Sequence, residues 1–175
     1  TEEKLMNYTR IFILFQLSSI LLKADVYEGY AIFTPGAGGP GGGGGDNITY
    51  LMDHNNNEVH TWSHDRNCAS MPYLFPDSTI IYPYRVPNPS MNAGGVGGGI
   101  SKLSWDGSTL WDYQFANDTY QHHHDVEPLS NGHVLIIVWE RKTDSEAYSM
   151  GRQTINNPLN QMWSEAILEL DPETG

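Results

Sequence analysis

The chain has 175 residues, enough for one domain with a core of its own. Nine Lys and Arg against 21 Asp and Glu give a formal charge of -12, which argues against a nucleic-acid partner because phosphate contacts need a basic surface. A single cysteine, Cys68, excludes an intrachain disulfide and a thiolate metal cluster. No motif surrounds it, and it reads as a structural or incidental thiol.

The N-terminal region, residues 1–24, reads as a targeting segment. Met6 is a candidate start, Arg10 supplies a positive charge, and residues 11–22 form an apolar run. That run is short for a bilayer span and fits the core of a signal peptide cleaved near Ala24; a short membrane anchor is the alternative. The expectation is a secreted or periplasmic protein with no stable membrane insertion after cleavage. Asn7, Asn47 and Asn117 each head a glycosylation acceptor pattern.

Residues 28–35 predict a strand that ends at Pro35. The glycine tract over residues 36–45 lacks the Lys-Ser/Thr and the following helix of a phosphate loop, so it reads as a surface loop. From Ile48 onward, short apolar runs alternate with polar turns. Hairpins are predicted over residues 48–62, 73–82 and 100–115, and a fourth over 121–139 carries the histidines. Residues 166–175 begin a fifth, and residues 145–152 are the one weak helical stretch. Leu103 to Asp106 matches Leu51 to Asp53 at a shift of about 52, and residues 129–134 match 75–80 at a shift of 54. Four strands per unit near fifty residues is the pattern of a β-propeller blade. The fold expected is therefore all-β, with residues 25–175 forming the N-terminal part of a longer propeller, cut short at the C-terminus.

The stretch Gln121-His122-His123-His124-Asp125 leads into a turn at Ser130-Asn131-Gly132 and a β-branched run over residues 134–138. That run is expected to be an inner strand buried on both faces. In an extended strand, His122 and His124 share one face, and His123 and Asp125 the other. Imidazoles in such a run can act as base or nucleophile, bind an anion, or ligate a metal. Neighbouring residues of one strand cannot all reach one ion, so a metal at His122, His124 and Asp125 needs ligands from elsewhere, and none is expected. Asp125 is placed either to orient a histidine through its ring N–H or to cap the turn. Arg152, after Gly151, is the leading guanidinium for an anionic substrate, with Arg85 second.

Together, Glu28-Gly29-Tyr30, Thr34-Pro35, Gly94-Gly95-Val96-Gly97, Trp105-Asp106-Gly107, His123-His124-Asp125, Leu129-Ser130-Asn131-Gly132, Trp139-Glu140, Gly151-Arg152 and residues 168–175 resemble the arylsulfotransferase family that uses no nucleotide donor. The resemblance implies a six-bladed propeller with a funnel-shaped site near its axis. It implies sulfuryl transfer from a phenolic sulfate ester to a phenol through a sulfated histidine, with no cofactor. By motif, His124, with His123 as alternative, is a funnel histidine for the sulfate group, and the sulfated histidine belongs to a later blade. The competing expectation is a secreted propeller that binds or scaffolds without chemistry, since fold does not fix function.

Overall fold

The computed structural model describes residues 27–36 and 47–174. The apolar run at 11–22, the cleavage position at Ala24 and the glycine tract beyond Gly36 lie outside the described residues. Strand makes up 49% of the described residues and helix 4%, an all-β structure, as the alternating pattern predicts.

The elements are β1 (Tyr30–Phe33), β2 (Ile48–Asp53), β3 (Glu58–Ser63), β4 (Tyr73–Leu74), β5 (Ile80–Arg85), β6 (Gly98–Leu103), β7 (Thr109–Gln114), β8 (Tyr120–Pro128), β9 (Val134–Thr143), α1 (Asp144–Ser149) and β10 (Gln161–Leu170). They form three antiparallel sheets, ordered β1-β2-β3, β4-β5-β6-β7 and β10-β9-β8. The predicted hairpins are present. The stretch at 166–170 ends β10, which pairs with β9 along its whole length and runs into a turn at Asp171 to Thr174. One detail differs from expectation. Each sheet draws on neighbouring sequence units: the middle sheet joins the second hairpin of one unit, β4-β5, to the first of the next, β6-β7.

Four hairpins close with one local chemistry. In each, the first turn residue accepts from the fourth, and its own N–H donates to the fifth: Asn56 N–H to Asp53 O, Ser78 to Phe75, Gly107 to Ser104 and Gly132 to Leu129, all at 2.9–3.0 Å. The fourth residue is left-handed every time, at φ 63° for Asn56, 65° for Ser78, 84° for Gly107 and 90° for Gly132. This is a type I turn followed by one residue of positive φ, which explains why Asn, Gly and Ser recur there. A short polar side chain, Asp77, Asp106 or Asn131, accepts the N–H two residues on and fixes the turn.

The sheets stack face on face. Leu51 and Trp62 of the first sheet meet Ile80, Tyr82, Tyr84 and Leu103 of the second. Ile81 and Ile100 of the second meet Val126, Val134, Ile136, Val138 and Leu170 of the third. Alternate residues of β5 thus serve two different cores, as the two-residue period of a strand dictates. β9 is central in its sheet but not buried on both faces: Val134, Ile136 and Val138 are buried, while Leu135 and Ile137 are half-buried. Each fully buried aliphatic side chain of this kind contributes about 1.5–3 kcal/mol.

Among the described residues the one helix, α1, overlaps the weak helical stretch and starts one residue before it. Thr143 caps it in a reciprocal capping box with Glu146. No described helix is long and apolar enough to cross a membrane.

Candidate functional site

The histidines do not sit at the mouth of β8 but within it, at a break in its pairing with β9. His122 pairs with Val138 and Val126 with Ile136, so His123, His124 and Asp125 together oppose Ile137. The surplus residues form a bulge, and His124 takes a left-handed conformation at φ 56°. The even alternation expected of an extended strand is therefore lost: His122 and His123 are both buried, and His124 and Asp125 are both exposed. A non-glycine residue in this region stores on the order of 1 kcal/mol of strain, which neighbours must hold in place.

The segment before β6 supplies that restraint. Val96 bridges to His123. Gly97 N–H donates to His122 O, and His124 N–H donates to Gly95 O. Gly95 has φ 79°, and a Cβ there would lie 2.3 Å from the His124 ring, so only glycine lets the two segments close. Ser90 adds a bond from its N–H to Gln121 Oε1, and Arg141 donates to Ser90 O.

The ring nitrogens have separate fates. His122 is wholly buried; its Nδ1 accepts from Gly98 N–H at 3.1 Å, and its Nε2 lies buried without a partner among the described residues. Burial pushes its pKa down to about 4, against the pull of the Asp125 backbone. His123 stacks on Trp139 at 4.2 Å and 14°, places Nε2 2.7 Å from Glu165 Oε2, and places Nδ1 2.7 Å from His124 Nδ1. Burial lowers its pKa, opposed by Glu165. Only His124 Nε2 is both in an exposed residue and unmatched by any described group.

Asp125 takes neither expected role. Its carboxylate accepts from Ser70 Oγ at 3.1 Å and Tyr73 Oη at 2.9 Å, tying the bulge to the middle sheet. Burial raises the Tyr73 phenol to about 12, and the Asp125 carboxylate reinforces the shift. Arg152 is exposed, and its Nε donates to Thr154 O, so it joins none of the histidines. Arg85 ends β5 opposite Gly98, with Nε buried and unpartnered among the described residues. No group of three or more described His, Cys, Asp or Glu side chains is arranged to hold a metal ion.

Glu165 was not legible as a site residue. It reaches His123 because β10 pairs with β9 and sets Glu165 opposite Trp139, on which His123 stacks. A signal for the bulge did exist. The Cys68–Tyr84 bridge and the His122–Val138 pair lie 54 residues apart on both strands, the same shift that relates the turns. The repeat thus runs back through Cys68-Ala69-Ser70-Met71 to His122-His123-His124-Asp125, and the same irregular edge carries imidazoles in its later copy.

No family model, curated protein or solved structure matches the chain.

Proposed function

We propose that the chain is the N-terminal part of an arylsulfotransferase-like β-propeller, in which His124 meets the sulfuryl group passing from a phenolic sulfate ester to a phenol. The observation that carries this reading is the nitrogen inventory of the histidine run: every ring nitrogen but His124 Nε2 is bonded or buried. A single open imidazole nitrogen, held on a strained bulge by rigid sheets, is a preorganised partner for a group whose oxygens gain charge in the transition state. The propeller reading is supported by the phase of the sheets. Leu135, Ile137 and Ile167 stand where Ile81, Pro83 and Ile100 stand in the preceding sheet. Ile100 is 0% exposed under the third sheet, whereas Ile167 is 70% exposed. A further sheet stacked in the same sense covers that face and brings the bulge toward an axis. The sulfated histidine of the resemblance falls to a later blade.

Sulfuryl transfer from 4-nitrophenyl sulfate to a phenol, assayed in a chain with all its blades, tests this. His124→Ala lowers the rate by about 10²-fold or more with the fold intact, the range for losing one preorganised group. An unchanged rate rejects the role.

One observation favours a second reading, a propeller that binds partners without chemistry. Arg152 points to Thr154 O, so the described site has no guanidinium at the histidines. Arg152→Ala leaving transfer intact, while His124→Ala abolishes it, favours the enzyme; no transfer by the complete chain favours the scaffold.

A further inference from the structure

The hydrogen-bond chain that ends at His124 starts on another strand. Glu165 Oε2 lies 2.7 Å from His123 Nε2, and His123 Nδ1 lies 2.7 Å from His124 Nδ1. The protons along it follow from what each atom can do. A carboxylate only accepts, so His123 Nε2 carries a hydrogen. A neutral imidazole with one N–H has its other nitrogen as acceptor, so His123 Nδ1 offers a lone pair. The contact between the two Nδ1 atoms needs one proton, which therefore belongs to His124. That leaves His124 Nε2 without one.

The geometry keeps this order. His123 is 3% exposed, stacked on Trp139 and bridged through its backbone to Val96, so its ring has no room to turn over. Burial, which lowers the His123 pKa, works against a second proton on that ring. Glu165 holds its position through the β9-β10 register, in which it faces Trp139.

We propose that Glu165 is a positioning residue: acting through His123, it fixes His124 as the Nδ1–H tautomer, so that His124 Nε2 is the proton acceptor for the phenolic hydroxyl of the sulfuryl acceptor. The choice of a phenol rests on the sulfuryl-transfer reading above. In the step, the phenol O–H bond breaks and its electron pair stays on oxygen. The proton forms an N–H bond at Nε2, so the nitrogen that met the hydroxyl as an acceptor becomes the donor that meets the sulfuryl oxygens, and the resulting imidazolium charge is balanced along the chain by the Glu165 carboxylate. Glu165 touches no substrate. Its part resembles that of a carboxylate that orients a base, with one more imidazole in between.

Long-range 1H–15N spectra of the uniformly labelled full chain, at a pH where His124 is neutral, read the tautomer without any substrate. The expected result is an unprotonated His124 Nε2 with a protonated Nδ1, in about tenfold excess or more over the other tautomer. Glu165→Gln can present its amide N–H to His123 Nε2, which reverses the order of donors. In that variant the His124 population moves to parity or beyond, while the β9 and β10 amide signals stay in place because Glu165 is largely exposed. A proton on His124 Nε2 in the wild type, or an unchanged tautomer ratio in Glu165→Gln, overturns the proposal. The expected tautomer in a complete chain that transfers no sulfuryl group upholds the relay and overturns the substrate assignment alone.

Discussion

His122 shows how one buried ring couples the site to stability. Its pKa falls to about 4 on burial from an ordinary 6.5, so the unfolded chain binds the extra proton first as pH drops. A group with a depressed folded pKa and a cationic acid form favours folding above its unfolded pKa and disfavours it below. Stability is therefore expected to fall between about pH 6.5 and pH 4, by on the order of 3 kcal/mol. Urea midpoints across this window check the slope, and His122→Leu should reduce it, leaving the part added by His64, which its own burial pushes down to about 4, even though the Gly98 N–H then loses its acceptor. Gly95 gives a second prediction at this scale. Gly95→Ala forces a Cβ into the His124 ring at a positive φ and should cost about 1–2 kcal/mol while displacing His124. Equal stability and unchanged His124 chemical shifts contradict the packing described.

At the scale of elements, the turns were the most legible part of the chain. Asn131-Gly132 and Asp106-Gly107 announce a positive φ through their residue types, and the structure has it at both glycines. Ser78 occupies the same left-handed position without glycine's freedom. Ser78→Gly is accordingly expected to stabilise the chain by about 0.5–1 kcal/mol in chemical denaturation, the strain relieved less the added entropy of the unfolded glycine. β9 was legible as a strand but not in its two faces. An unbroken run of apolar residues looks alike whether one face or both is covered, and what lies against Leu135 and Ile137 is decided by other sheets. Ile136→Ala should cost about 2–5 kcal/mol and Ile137→Ala clearly less. The bulge at His123 to Asp125 escaped the sequence for a related reason. A strand pattern assumes even alternation, and the irregularity depends on Gly95 and Val96, which approach from a distant segment. Glu165 escaped because its link to His123 passes through β-pairing and an aromatic stack, neither of which leaves a local motif.

For the whole molecule, the repeat near fifty residues was visible, while the sheet boundaries were not. Pairing within a hairpin is local, but the choice to join β5 to β6 spans the strap at 86–97 and is settled by packing. The resulting stack leaves Leu135, Ile137 and Ile167 forming an apolar face on the third sheet. Ile167→Lys should change the stability of this chain by no more than about 0.5 kcal/mol, because the side chain is largely in water. In a chain with further blades the same substitution should be strongly destabilising, since it buries an unpaired charge. Similar small effects in both would argue against a further stacked sheet.

The central claim is that one nitrogen of the histidine run, His124 Nε2, stands open for the sulfate ester of the proposed reaction. Histidine-selective acylation with diethyl pyrocarbonate, read by peptide mass spectrometry with and without phenyl sulfate, tests both halves at once. Within the run, His124 should react first, ahead of the buried His122 and of His123, whose nitrogens are both occupied. Phenyl sulfate at ten times its Kd should slow that reaction about tenfold. Acylation of His124 no faster than of His122 and His123, or no protection by the sulfate ester, contradicts the account.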